Sequence, residues 1–210
     1  MAEKELTKAE LRELHRKETK DTILTLLRKV RRPGMDELIT WLEKSSFFDM
    51  PASTRFHGNY DGGLAEHSLN VYKALVQLRQ LYQKQFGMKN LPIESVIICA
   101  LCHDFCKIDF YKKELRNVKN METGQWETKE IYGCNDQFGM GHGECSVFLI
   151  QNFIQMTEEE ILAIRWHMGA YDSAVKGGDR SINVAESKTP LVTLLHMADS
   201  WASKFMEETV

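Results

Sequence analysis

Residues 96–109 read VIICALCHDFCKID, and the rest of the chain is best read outward from them. VIICALCH is apolar almost without interruption, so it predicts a central helix, from about Ile93 to Lys107, buried on most sides. His103 and Asp104 end that apolar run side by side. Adjacent helical residues point about 100° apart, so both can lean toward one ion at the helix surface. Lys107 falls between them on the helical wheel and can reach a phosphoryl oxygen or a leaving group.

Other histidines sit in similar surroundings. His67 lies in GLAEHSL, His142 in GMGHGEC and His167 in AIRWHMG, and LLHMADS places Asp199 inside a buried pattern. Unpaired burial of so many imidazoles and carboxylates is costly; a shared metal centre satisfies them together. His67, Val71, Ala74, Leu78 and Leu81 recur at helical spacing over Ala65–Phe86, so His67 points inward. Val192, Leu195 and Asp199 do the same on a last helix capped by Thr189, with Pro190 in its first turn. His67, His103, Asp104 and Asp199 then form one ligand set. His142 and His167, with Asp104 bridging, offer a second ion site roughly 3.5–4 Å away. Mixed imidazole and carboxylate donors suit Mn, Fe, Ni, Co, Zn or Mg rather than Cu(I) or an iron–sulfur cluster.

The remainder reads as mostly helix. Thr7 and Glu10 are spaced as a capping box for residues 8–30, and RRPG (31–34) stops that helix. A short helix follows over 35–44, with an aromatic core patch at Phe47 and Phe48. Residues 51–63 are loop by composition. LRNVK and WETKEIY flank the turn-like METGQ, which predicts a β-hairpin near 113–132. Helices are expected over 143–155 and 158–168, the second capped by Thr157 and Glu160, and loop over 169–188. The fold class is all-α with a small hairpin insertion: residues 1–34 form an N-terminal helical extension and residues 35–210 the catalytic domain.

Length and composition agree with this reading. The chain has 210 residues, 43% hydrophobic and 27% charged, enough for one sizeable core. Basic and acidic side chains number 27 and 30, so there is no general pull toward nucleic acid or anionic lipid. RKVRR (28–32) reads as solvated face. No run of 18 apolar residues spans a bilayer, and MAEKELTKAE has no apolar core of a secretory signal. Five cysteines are an odd number. Cys99, Cys102 and Cys106 share a core-helix stripe, so buried thiols in a reducing cytoplasm are expected.

The ordered series His67, His103–Asp104, His142, His167, Asp199 resembles the HD-domain metal-dependent phosphohydrolase superfamily. HDFCKID (103–109) resembles the HD-x-x-K form of several of its phosphodiesterase branches. PASTRFHGNYDGGLAEHSLNVY (51–72) is similar to the HD domain of YhaM-type 3′–5′ exoribonucleases and of small HD hydrolases. The resemblance covers about residues 35–205 and implies an all-helical fold. It implies that His67, His103, Asp104 and Asp199 are core ligands, and that His142 and His167 are the extra ligands of two-metal members.

The expected activity is hydrolysis of a small, nucleotide-like phosphomonoester or phosphodiester by a metal-activated hydroxide. Asp104 and Lys107 are the catalytic residues, and Lys107, Arg165, His57 and Arg55 the substrate contacts. The loop 169–188, with Lys176 and Arg180, can close over the pocket. His196 can support Asp199, and Asp61 or Glu66 can orient His67. A 3′–5′ exoribonuclease or oligonucleotide phosphodiesterase, taking an RNA end, is the first alternative. Residues 1–50 are too short and too helical for the OB module of the exoribonucleases, which shifts weight toward the small substrate. A silent nucleotide-binding or structural protein is the second alternative. Oligomeric state has no sequence signal.

Overall fold

The computed structural model describes residues 7–86 and 91–207, with Phe86 described by its backbone alone. Helices dominate. They are α1 (Lys8–Leu27), α2 (Met35–Lys44), α3 (Gly63–Phe86), α4 (Ile93–Cys102), α5 (His142–Gln151), α6 (Glu158–Arg165), α7 (Ser173–Lys176), α8 (Ser181–Lys188) and α9 (Pro190–Trp201). An antiparallel hairpin, β1 (Tyr111–Lys119) and β2 (Trp126–Cys134), interrupts them, paired from Tyr111↔Cys134 to Lys119↔Trp126. The hairpin is longer than residues 113–132 and stands largely exposed.

The expected capping boxes are present. Thr7 and Glu10 bond each other's backbone N–H groups, as do Thr157 and Glu160. Each pair satisfies two donors that a helix start leaves without partners. The α4 sequence is buried throughout from Ser95 to Cys102. It is flanked by α3, α6 and α1, while α3 and α6 also pack on α9. Ile23, Leu24, Leu26 and Leu27 of α1 lie in the same core as Leu38, Phe47, Leu75, Ile98 and Leu195. The described part of the segment before residue 34, through these α1 residues and Val30, thus shares the core of the rest. Phe47 and Phe48 are buried, as their apolar context predicts.

Arg32, at the end of the supposed solvated basic run, instead makes a bidentate pair with the fully buried Glu160, at 2.7 and 2.6 Å. The same carboxylate caps α6. The helical pattern of 8–30 ends at Leu27, and those of 143–155 and 158–168 end at Gln151 and Arg165.

Two further readings need correction. The segment 169–188 contains α7 and α8 rather than continuous loop. Asp172 caps α7 through the Ala174 N–H, and among the α8 residues Ala185 is fully buried, so neither carries a broad apolar stripe. Helix α4 stops at Cys102 instead of Lys107. Asp104 takes φ −106° and ψ 22°, outside the helical basin, and Phe105–Lys107 form a 3₁₀ turn. Apolarity hides this break because Phe105 remains in the core, against Trp41 and Phe47 at ring-centroid distances of 5.7 and 5.5 Å. No described helix is long and apolar enough to cross a membrane.

Candidate metal centre

The break after Cys102 divides the work of the HDFCK turn. Phe105 turns back into the core and anchors the segment, while His103, Asp104, Cys106 and Lys107 face the space between α3, α5, α6 and α9. The wheel argument for Lys107 fails, because no α-helix runs through it. A 3₁₀ turn nevertheless brings its Nζ to 2.7 Å from Asp104 Oδ2.

His67, His103, Asp104 and Asp199 meet. His67 Nε2 lies 3.3 Å from His103 Nε2, 3.2 Å from Asp199 Oδ1 and 3.6 Å from Asp104 Oδ2. His103 Nε2 is 3.4 Å from the same Oδ2. Ligands about 2.1 Å from a common ion stand roughly 3.0–3.5 Å apart in octahedral or tetrahedral geometry, so the spacing fits a divalent ion. The other carboxylate oxygen, Asp104 Oδ1, faces the second set. His167 Nε2 is 3.6 Å from it, and Cys106 Sγ is 3.9 Å from it and 3.2 Å from His142 Nδ1. Asp104 therefore offers one oxygen to each half.

The backbone fixes which nitrogen each imidazole presents. His103 Nδ1 lies 2.9 Å from the Ala100 carbonyl and His167 Nδ1 2.7 Å from the Ile164 carbonyl. A carbonyl only accepts, so both Nδ1 atoms carry the proton and both Nε2 lone pairs face the centre. His67 Nδ1 is 3.0 Å from the Glu207 carboxylate, which likewise accepts. That carboxylate–histidine pair is the usual outer support of a metal-ligating imidazole. His167 Nε2 is buried without a hydrogen-bond partner among the described residues. An orphaned buried lone pair aimed at a carboxylate is the mark of a site shaped for a cation.

Two close approaches place the second set. A Cβ on Gly143 would stand 2.2 Å from the Arg165 carbonyl, so glycine lets α5 press against α6 and brings His142 toward the centre. Gly169, at φ +53°, lies against His196, whose Nδ1–H donates to the His167 carbonyl. His196 thus braces the His167 backbone, not Asp199.

Charge balance follows the geometry. Burial opposes ionisation of Asp104, but Lys107 and His103 hold its carboxyl well below the ordinary range. Burial likewise opposes a charge on Lys107, which Asp104 outweighs, so its ammonium is held. Burial would lower His67, yet Asp199 and Glu207 raise it to about 10. His57 goes the other way, to about 4, through burial and then the charge of His67.

Of the expected substrate contacts, His57 stacks 4.9 Å from His67, centroid to centroid, with its Nε2 buried and unpartnered among the described residues. Arg55 is exposed on the 51–62 loop. Arg165 is committed to Glu144 and Asp172 and lies over the Trp166 ring. Lys176 and Arg180 sit in the exposed α7–α8 region.

Asp61 and Glu66 do not orient His67. Asp61 takes Tyr132 and Lys113, and Glu66 takes Tyr60 and lies near His15. Glu207 does so instead, brought back by a π turn at Ala202–Met206. Sequence reasoning missed Glu207, and it placed Cys106 correctly as a buried thiol without showing that it lies beside His142 and Asp104. Glu207 has no local signal, and Cys106 lay in register with two core thiols.

A groove of about 1030 Å³ runs between α1, the 51–62 loop and the hairpin. Arg12, Arg16 and Lys113 line it together with Glu13, Asp61 and Glu130, so its charge is mixed. None of the six expected ligands lines it.

Comparison with known proteins adds three findings. The HD domain family matches residues 64–203, two-thirds of the chain. A dihydroneopterin 2′,3′-cyclic phosphate phosphodiesterase from Methanocaldococcus jannaschii is 29% identical over 87 residues, which cover 41% of this chain and 32% of that protein. The match therefore spans about a third of that relative's length. No solved structure matches the chain.

Proposed function

The chain belongs to the HD domain family, and on that premise we propose that it is a metal-dependent phosphohydrolase acting on a small, nucleotide-like phosphodiester or phosphomonoester. The observation that carries the reading is the convergence of three Nε2 atoms, from His67, His103 and His167, on the two oxygens of Asp104. The name of the M. jannaschii relative, a cyclic phosphate phosphodiesterase, favours the phosphodiester. The mixed charge of the groove beside the hairpin gives no specific support to an RNA-tracking exonuclease.

His67, His103, Asp104 and Asp199 would hold one ion, and His142 and His167, with Asp104 shared, a second. Manganese, iron, nickel, cobalt, zinc and magnesium all suit such donors. Divalent ions there supply Lewis-acid neutralisation of the phosphoryl group and activation of water as the nucleophile. The protein's own groups set the stage. Lys107 keeps a positive charge beside Asp104 and presents N–H donors where negative charge grows on the phosphoryl oxygens. Glu207 locks His67 in the Nδ1–H form. His57, neutral near pH 7, offers an unpartnered ring nitrogen to a substrate oxygen. The five free cysteines fit a reducing compartment such as the cytoplasm.

The test is a metal-supplemented screen over cyclic nucleotides, mononucleotides, dinucleoside polyphosphates and short RNA. Wild-type protein should hydrolyse a small phosphoester, and Asp104→Ala should lose activity by on the order of 10³-fold, the equivalent of about 4 kcal/mol of lost charge stabilisation. Undiminished turnover by Asp104→Ala would refute the assignment. Activity confined to RNA ends would shift it to the exonuclease.

A further inference from the structure

Cys106 lies beside His142 and Asp104. We propose that Cys106, with His142 and Asp104, makes the second half of the centre a sulfur-containing site that takes a thiophilic divalent ion such as zinc, cobalt or iron(II). The inference rests on the metal-centre reading above and goes beyond it, because that reading needs only nitrogen and oxygen donors.

The geometry is specific. Cys106 Sγ lies 3.2 Å from His142 Nδ1 and 3.9 Å from Asp104 Oδ1. Donors at about 2.3 Å for sulfur and about 2.0–2.2 Å for nitrogen and oxygen around one tetrahedral ion stand at similar separations. Each of the three residues offers a ligand atom within 4.8 Å of the other two.

The sulfur is also held in place. The Cys106 N–H donates to Ser146 Oγ at 3.1 Å, tying the turn to α5, and the neighbouring Phe105 is locked in its aromatic cluster. A second, independent observation points to a ligand beside it. His167 Nε2, buried and without a hydrogen-bond partner among the described residues, lies 3.6 Å from the same Asp104 Oδ1 that Cys106 faces.

The remaining cysteines are placed differently. Cys99 and Cys102 are sealed in the core, Cys134 is exposed on the hairpin, and Cys145 lies on α5 outside every candidate ligand group of the described residues. Ligation replaces the thiol proton, which leaves to solvent, and the ion supplies the charge that stabilises the thiolate. Such a site ranks ions differently from its neighbour. Thiolate favours zinc, whereas the imidazole–carboxylate half also accepts manganese and magnesium.

The test uses the whole chain, stripped by chelator and titrated with cobalt(II) without oxygen. Wild type should bind two equivalents, the second bringing a near-ultraviolet thiolate-to-cobalt charge-transfer band. In Cys106→Ser that band should vanish while the visible ligand-field bands of the first equivalent stay. The second equivalent should bind roughly 10–100-fold more weakly, the loss expected when support of a metal site is removed. Cys99→Ser, with its thiol in the core, should keep the band. Circular dichroism checks folding, with Cys106→Ala as the second variant. A second equivalent without the band, an unchanged band in folded Cys106→Ser, or binding of one equivalent would each overturn the proposal. The last result leaves a one-ion phosphohydrolase standing; binding of no cobalt would remove that reading as well.

Discussion

Asp104 and His67 show how much single side chains carry. Asp104 is one carboxylate with two separate audiences: His67, His103 and Lys107 at Oδ2, and His167 and Cys106 at Oδ1. His67 depends on Glu207, whose buried carboxylate fixes its tautomer. Glu207→Gln should weaken binding of the first ion roughly 10–100-fold, measured by calorimetric titration; unchanged affinity would show that Glu207 is a bystander.

A pH effect follows from the same contact. Without an ion, the folded-state pKa of His67 is raised from 6.5 to about 10. A raised pKa stabilises the fold fully below the unfolded value and loses that contribution as pH rises through the folded value. The melting temperature of ion-free protein should therefore fall between pH 6.5 and 10, and fall less steeply in Glu207→Gln. Identical slopes would contradict the linkage. Glu207 is invisible to local sequence reading because its partner is 140 positions away. His103 is legible because an isolated imidazole at the end of so apolar a run needs a partner.

At the scale of elements, periodicity revealed α3 and α9 because each buries a stripe, through Leu75 in α3 and Ala198 in α9, although the predicted α3 stripe surfaces at Leu81, which is 50% exposed. The end of α4 was hidden because the apolar pattern continues through Phe105 after the helix has stopped. Helices α7 and α8 were hidden for the opposite reason, since most of their residues are exposed or half-buried. The contact of α5 with α6 has no signal beyond the small residue itself. Gly143→Ala would set a methyl group 2.2 Å from the Arg165 carbonyl. The helices must then part, at a cost of about 1–3 kcal/mol, and His142 moves with α5. Urea unfolding should show that loss, together with weakened binding of the second ion only. A variant as stable as wild type would mean that the helices adjust without strain.

Over the whole molecule, the fold assembles one centre from five distant stretches: α3, the turn after α4, the start of α5, the residues following α6, and α9. Each brings a candidate ligand to the edge of the same hydrophobic core, which explains why the series could be ordered from sequence while its geometry could not. The buried His67, with its raised pKa, and the carboxylates around it make the ion-free protein sensitive to pH, and an ion that binds the folded chain alone stabilises it by mass action. The most direct test is equilibrium dialysis of chelator-stripped protein against manganese or zinc, with bound metal counted by elemental analysis. Wild type should retain at least one ion per chain, and a folded Asp104→Ala variant should retain fewer. Equal metal content in the two proteins, or none in wild type, would contradict a metal centre built on Asp104.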